Sequence, residues 1–148
     1  MKIVNFAPEH LGAFLPQRAQ FDVSPYLANA RNSIAAAFAQ GPALSGVIDG
    51  RIVGAAGVRI DWPGAGTAWA LLSEEVLRRP ASLLRACARG LDEIEHIHGL
   101  RRIQASVAVG HAGGHRFLAA LGFEVEGLLG NYGFGGMGDY ILYARKKP

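Results

Sequence analysis

The chain has one cysteine in 148 residues. A single thiol cannot close a disulfide within the chain or build a cysteine-based zinc site. Cys87 falls inside a helical pattern, where a free cysteine reads as an ordinary core residue. Lysine is almost as scarce. Lys2, Lys146 and Lys147 are the only ones, all at the termini, which argues against a buried Schiff-base or catalytic lysine. No stretch approaches the roughly 18 consecutive apolar residues that read as a membrane span. The first ten residues lack a long apolar run and a small-residue cleavage site, so no signal peptide is expected and the expected compartment is the cytoplasm. Gly-x-Ser-x-Gly and His-Glu-x-x-His are both absent, which removes the nucleophile elbow and the commonest zinc-protease helix. The net charge is +3, with basic residues scattered rather than clustered, so nucleic acid is not an expected partner.

What is present fits one domain spanning residues 1–148. Half of the residues are hydrophobic and 20 are glycine, without a Gly-x-y period. Residues 2–7 read as a strand. Pro8 opens a short helix carrying Leu11, Phe14 and Leu15, which Pro16 ends. Ser24-Pro25 starts a second helix with Leu27, Ala30, Ile34 and Phe38, stopped by Gly41-Pro42. Asp49-Gly50 between two β-like runs is a hairpin signal, because both turn residues need positive φ. Pro63 to Gly66 makes the next turn, so residues 43–73 read as three antiparallel strands. Pro80 opens the longest helix, with Leu83, Leu84, Cys87, Leu91, Ile94 and Ile97 as its apolar stripe and Gly99 closing it. Ile103, Ala105, Val107 and Val109 alternate along a strand over 101–109. A short helix over about 111–121 and strands over about 123–129 and 138–145 finish the chain. A right-handed crossover from strand 67–73 to strand 101–109 makes those two parallel. The expected class is α/β (α+β), with a mixed, mostly antiparallel sheet and helices on both faces.

The element order, with Gly99-Leu100-Arg101-Arg102-Ile103 before a short helix ending in Leu121-Gly122-Phe123, resembles the GNAT superfamily of acyl-CoA-dependent N-acyltransferases. A narrower likeness, from residues 68–76, the long helix, and a Val-x-Val-Gly strand end before Arg116-Phe117-Leu118, is to a degenerate GNAT group of tailed phages. The resemblance implies acetyl-CoA as co-substrate, no metal, and a small-molecule or peptide amine as acceptor. It places the acyl carbonyl near the backbone of Leu71 and Leu72, with Ser73 beside them. It places the pyrophosphate against Arg78, Arg79, Ala81 and Ser82 at the start of the long helix, where N–H groups and the helix dipole favour an anion. His111 and Leu118 fall where the family has an Asn and a thiolate-protonating Tyr.

The chain departs from the family at two points. The pyrophosphate loop of the family is glycine-rich, whereas here it reads Glu75 to Pro80, and proline has no N–H to donate. The Tyr position holds Leu118. Direct attack by a free amine is the chemistry left, with Asp61 or Glu74 as general base. The resemblance also leaves a second class open: a non-catalytic phage or prophage protein acting in a virion or on a host. A homodimer is left open as well.

Several further motifs carry less. Gly133-Phe134-Gly135-Gly136-Met137-Gly138 matches the dinucleotide fingerprint, but a strand follows instead of a helix, so it reads as the loop of the last hairpin. In the family that hairpin borders the acceptor, which makes Asn131, Tyr132 and Phe134 candidate substrate contacts. His111 and His115, four apart, are half a metal site with no third ligand. Trp62 and Trp69 read as core or pocket wall.

Overall fold

The computed structural model describes residues 1–20 and 36–148. The described strands are β1 (Lys2–Asn5), β2 (Ala43–Ile48), β3 (Arg51–Trp62), β4 (Ala65–Leu72), β5 (Arg102–Ala108), β6 (Glu124–Leu129) and β7 (Tyr140–Lys146). The α-helices described in full are α1 (Glu74–Leu77), α2 (Pro80–His98) and α3 (Ala112–Ala120). The helix expected from Ser24 lies largely outside the described residues; residues 36–38 are helical. The segment after Pro8 is a five-residue 3-10 helix, Pro8–Gly12. There His10 Nδ1 accepts the Ala7 N–H at 3.2 Å and meets the buried Ser45 hydroxyl at 2.8 Å, which pins the turn to β2.

Asp49 and Gly50 take φ of 49° and 75°, the left-handed pair that a tight hairpin needs. This turn and the next bring β2, β3 and β4 together as an antiparallel meander. All seven strands form one sheet in the order β1-β2-β3-β4-β5-β7-β6, and only β4 and β5 run parallel.

The core lies on both faces. Against one face α2 contributes Leu91, and α3 contributes Phe117 and Leu118, packed on Val58, Ile103, Ala105, Val107 and Tyr143, while Leu83 of α2 packs with Ile48, Val53, Leu72 and Val76. Against the other face Leu11, Phe6, Phe14 and Phe38 cover Ala55, Leu71 and Trp69. Helix α2 begins with Pro80 at its first position and ends at Gly99, with φ of 60°. Its apolar stripe differs from expectation in the last turn. Ile97 is 65% exposed, and Glu95 is buried instead. The helical repeat explains this: residue 95 lies one turn beyond Leu91, whereas residue 97 is turned about 120° from it. Val109 is exposed too, because β5 ends at Ala108 and the chain turns there. Trp62 is 66% exposed at the end of β3, so of the two tryptophans only Trp69 packs.

The sheet also carries an ion cluster. Arg102 bonds Glu126 through both terminal nitrogens, at 3.1 and 2.6 Å, and Lys146 Nζ lies 3.1 Å from the same carboxylate. These cations hold the Glu126 carboxyl down at about 2, against an ordinary 4.5. Because the folded value is the lower one, the cluster stabilises the fold fully above about pH 4.5 and stops doing so as pH falls towards 2. Stability of the protein and of Glu126→Gln should therefore differ at neutral pH and converge towards pH 2 in acid titrations. A gap that persists at pH 2 would overturn this account.

Candidate active-site cleft

The parallel pairing of β4 with β5 covers only Ala65 with Arg102, Gly66 with Ile103, and Thr67 with Gln104. Beyond that point the strands separate. β4 continues to Leu72 on its pairing with β3, and β5 continues to Ala108 on its pairing with β7. The result is a wedge between two strands, closed at Thr67 and open at Leu72 and Ala108. Both strands point their carboxyl ends to the open side, where crevices in α/β sheets take ligands.

Alternation along β4 decides which backbone groups face the wedge. Ser73 N–H donates to Val53 of β3, so Leu71, two residues back, also points its backbone to β3. Leu72 and Ala70 point the other way. Of the two residues expected to meet an acyl carbonyl, Leu72 alone presents its N–H to the wedge. The Ser73 side chain accepts from Val76 N–H at 3.3 Å and so caps α1. This one-turn helix was not expected from the sequence.

The wedge mouth gathers most of the candidate residues. Arg78 and Arg79 are exposed between α1 and α2. The first turn of α2 offers the N–H groups of Ala81 and Ser82, since Pro80 has none and the Leu83 N–H already donates to Arg79 O at 3.0 Å. Glu75 is held by Arg51 at 2.7 Å. His111 caps α3 next to the end of β5, and its N–H donates to Ala108 O at 2.9 Å. Burial, with His115 beside it, lowers the His111 pKa. Leu118 packs against the core. The β6–β7 loop reaches the same end of the sheet, because Val109 N–H donates to Asp139 O at 3.0 Å. Within that loop Asn131, at φ 53°, donates its N–H to Asp139 Oδ1 at 2.9 Å. Tyr132 and Phe134 are exposed, and Tyr132 meets Tyr140 edge-on at 5.4 Å. The fingerprint-like glycines are thus a hairpin loop. A Cβ on Gly133 would stand 1.7 Å from Met137 O, so the loop closes only around glycine there.

The two candidate bases lie at opposite ends. Glu74 follows β4 at the mouth and accepts the Arg18 N–H at 3.0 Å. Asp61 lies by the closed end, where Oδ2 accepts from the Thr67 hydroxyl at 2.7 Å and Oδ1 from Arg59 Nε at 2.9 Å. Strand rise puts about 20 Å between Gly66 and Leu72.

Two groups at the mouth make contacts that the sequence does not signal; one is His115, which the sequence offers only as half of a metal pair with His111. His115 Nε2 lies 3.0 and 2.9 Å from the Ala108 and Val109 carbonyls, and its Nδ1 lies 2.7 Å from the Tyr143 hydroxyl. A carbonyl only accepts, so Nε2 carries the proton. This ties α3 to β5 and β7, and the pairing of His115 is with Tyr143 rather than with His111. The second group is Gln20, which bonds the β4 edge. Among the described residues no cluster of three potential metal ligands occurs, and no helix is long and apolar enough to cross a membrane.

No family model and no curated protein matches the chain by sequence. Solved structures do match it over nearly its whole length. A ribosomal-protein-alanine N-acetyltransferase from Brucella melitensis superposes with a TM-score of 0.70 at 15% identity, covering 99% of this chain and 100% of that one. A variant of spermidine N-acetyltransferase from Vibrio cholerae gives 0.71 at 13%, covering 99% and 95%. An IAA acetyltransferase from Bacillus cereus gives 0.73 at 13%, covering 99% of each. These likenesses establish the fold, which is that of the GNAT N-acetyltransferases.

Proposed function

We propose that the chain is an N-acetyltransferase that moves an acetyl group from acetyl-CoA to a primary amine. The observation that carries this reading is the wedge itself: β4 and β5 part after three residue pairs, and the N-terminus of the 19-residue α2 lies at its mouth. A strand edge whose Leu72 N–H points into the wedge, where Gln20 Oε1 accepts it at 3.0 Å, suits an extended amide or thioester, and a helix N-terminus suits a pyrophosphate. In this reading acetyl-CoA supplies the activated acyl group. Leu72 orients it along β4, with Ser73 behind; Ala81, Ser82, Arg78 and Arg79 hold the phosphates, and His111 lines the β5 side with Leu118 beneath. Asn131, Tyr132 and Phe134 border the acceptor. The free amine attacks the carbonyl directly, the carbon–sulfur bond breaks to release CoA as its thiolate, and the amine's proton leaves through water, assisted by Glu74. The fold neighbours act on a ribosomal-protein alanine and on spermidine, by their names, which supports an amine acceptor without choosing one.

Calorimetry with acetyl-CoA tests the reading. Binding is expected, followed by turnover on an amine panel. No heat and no thermal shift at millimolar acetyl-CoA would overturn it, and binding without turnover would favour a regulatory CoA-binding domain.

Geometry also separates the two carboxylates. Glu74 stands two residues beyond Leu72, whereas Asp61 stands about a strand's length away. Glu74→Gln is therefore expected to lower kcat/KM about tenfold near neutral pH, less than the 10²–10⁴ of an indispensable base, because a free amine reacts without one. The loss should shrink at high pH, where more amine is unprotonated. Asp61→Asn should leave kcat/KM within about threefold. The reverse order would move the acyl carbonyl to the closed end of the wedge.

A further inference from the structure

The cleft edge of β4 is not bare. Gln20 Nε2 donates to Ala70 O at 2.7 Å, and Gln20 Oε1 accepts from Leu72 N–H at 3.0 Å. The amide orientation is fixed, since only this flip satisfies both contacts. Gln17 reinforces it: its Nε2 donates to Gln20 Oε1 at 3.3 Å, and its backbone N–H donates to Leu72 O at 2.6 Å. Gln17 is itself buried, and the next backbone N–H, of Arg18, is held by Glu74.

A residue in a parallel strand donates to the carbonyl before its partner and accepts from the N–H after it. Donation to Ala70 and acceptance from Leu72, around Leu71, reproduce that pattern with one side-chain carboxamide. It continues, on the same edge, the parallel ladder that β5 abandons after Gln104. The edge is therefore built for an extended ligand bearing amides, and Gln20 holds the place of one.

We infer that Gln20 is a built-in competitor for the acyl-CoA arm: the secondary amides of the pantetheine chain bind β4 by displacing the Gln20 carboxamide from Ala70 and Leu72. This rests on the acetyl-CoA reading above and adds its regulation. A ligand that must first displace a bound group loses apparent affinity by the fraction of molecules in which the edge is free. Whatever stabilises the Gln17–Gln20 turn closes the site, and whatever draws it away opens it.

The test compares the protein with Gln20→Ala and with Gln20→Asn, which is one methylene too short to make both contacts. Titration with acetyl-CoA should show about tenfold tighter binding in both variants, two net hydrogen bonds having been removed from the closed state. Amide hydrogen exchange supplies a readout independent of turnover. Leu72 should be protected in the unliganded protein, exchange faster in both variants, and regain protection when acetyl-CoA is added. Equal or weaker binding by the variants would overturn the inference and leave the acetyl-CoA reading standing. Unchanged Leu72 exchange in the variants would also overturn it. Absence of acetyl-CoA binding in all three proteins would remove the acetyl-CoA reading and this inference with it.

Discussion

Glu95→Ala is expected to destabilise the protein by about 3 kcal/mol, a fall in Tm of about 10 °C for a chain of this size. The Glu95 side chain is 4% exposed, with Arg145 Nε at 2.9 Å and Lys147 Nζ at 3.3 Å. It joins the last turn of α2 to the carboxyl end of β7. Truncating it leaves a cavity and removes one carboxylate from the Arg145 guanidinium, whose side chain is 20% exposed, leaving the exposed Asp92 as its ion-pair partner among the described residues. An uncompensated charge in such a place costs more than the intact pair contributes. Asp92 is mostly exposed, and Asp92→Asn should change stability by less than about 0.5 kcal/mol. Glu95→Leu combined with Arg145→Leu should recover much of the loss, since apolar groups of similar volume carry no desolvation penalty. Urea denaturation reads all three, with unchanged m-values marking an unaltered unfolded state. A loss below about 1 kcal/mol in Glu95→Ala would show that the two cations are satisfied by water.

This residue also shows where the sequence is legible and where it is not. Periodicity identifies α2, and its left-handed glycine cap falls at Gly99. The Asp49-Gly50 turn yields the meander, and alternation yields β5, because both depend on neighbours in the chain. A glutamate in the last turn of an amphipathic helix reads as solvated; that two cations from the far end of the chain reach it is a tertiary fact. Ile97 was expected inside for the mirror-image reason. Trp62 has the composition of a core residue but stands beyond the last covered position of β3.

The site divides in the same way. That β4 and β5 run parallel follows from the crossover rule, and the helix N-terminus follows from Pro80. The point at which the strands part has no sequence signature, since it depends on where β5 changes partner from β4 to β7. Gln20 was invisible for a similar reason. A glutamine in a polar turn carries no periodicity, and its role exists only because a strand edge fifty residues later was left unpaired. No glycine lies between Gly66 and Gly90, so the turn before α2 is built from Glu75, Arg78, Arg79 and Pro80 instead.

That absence leads to the largest effect expected on binding. Changing Arg78 and Arg79 together to alanine should weaken acetyl-CoA binding about 100-fold. A glycine-rich loop presents a pyrophosphate with successive backbone N–H groups. Here Pro80 removes one, Leu83 has spent its own on Arg79 O, and Ala81 and Ser82 remain. Glu75 adds a negative charge nearby, offset in part by Arg51. The missing donors must come from side chains, and the exposed guanidiniums of Arg78 and Arg79 are the ones between α1 and α2. A charge-assisted hydrogen bond contributes about 1.5–3 kcal/mol. Solvent screening at an exposed site takes each arginine to the lower end of that range, about tenfold in affinity. Binding should then fall steeply with salt, because the Debye length is about 8 Å at physiological ionic strength, and the double variant should lose most of that dependence. Lysine at both positions should restore the salt dependence but only part of the affinity, since an ammonium cannot grip two phosphate oxygens at once. If the alanine variant binds within threefold of the parent, backbone and dipole suffice at α2, and the missing glycines cost this mouth nothing.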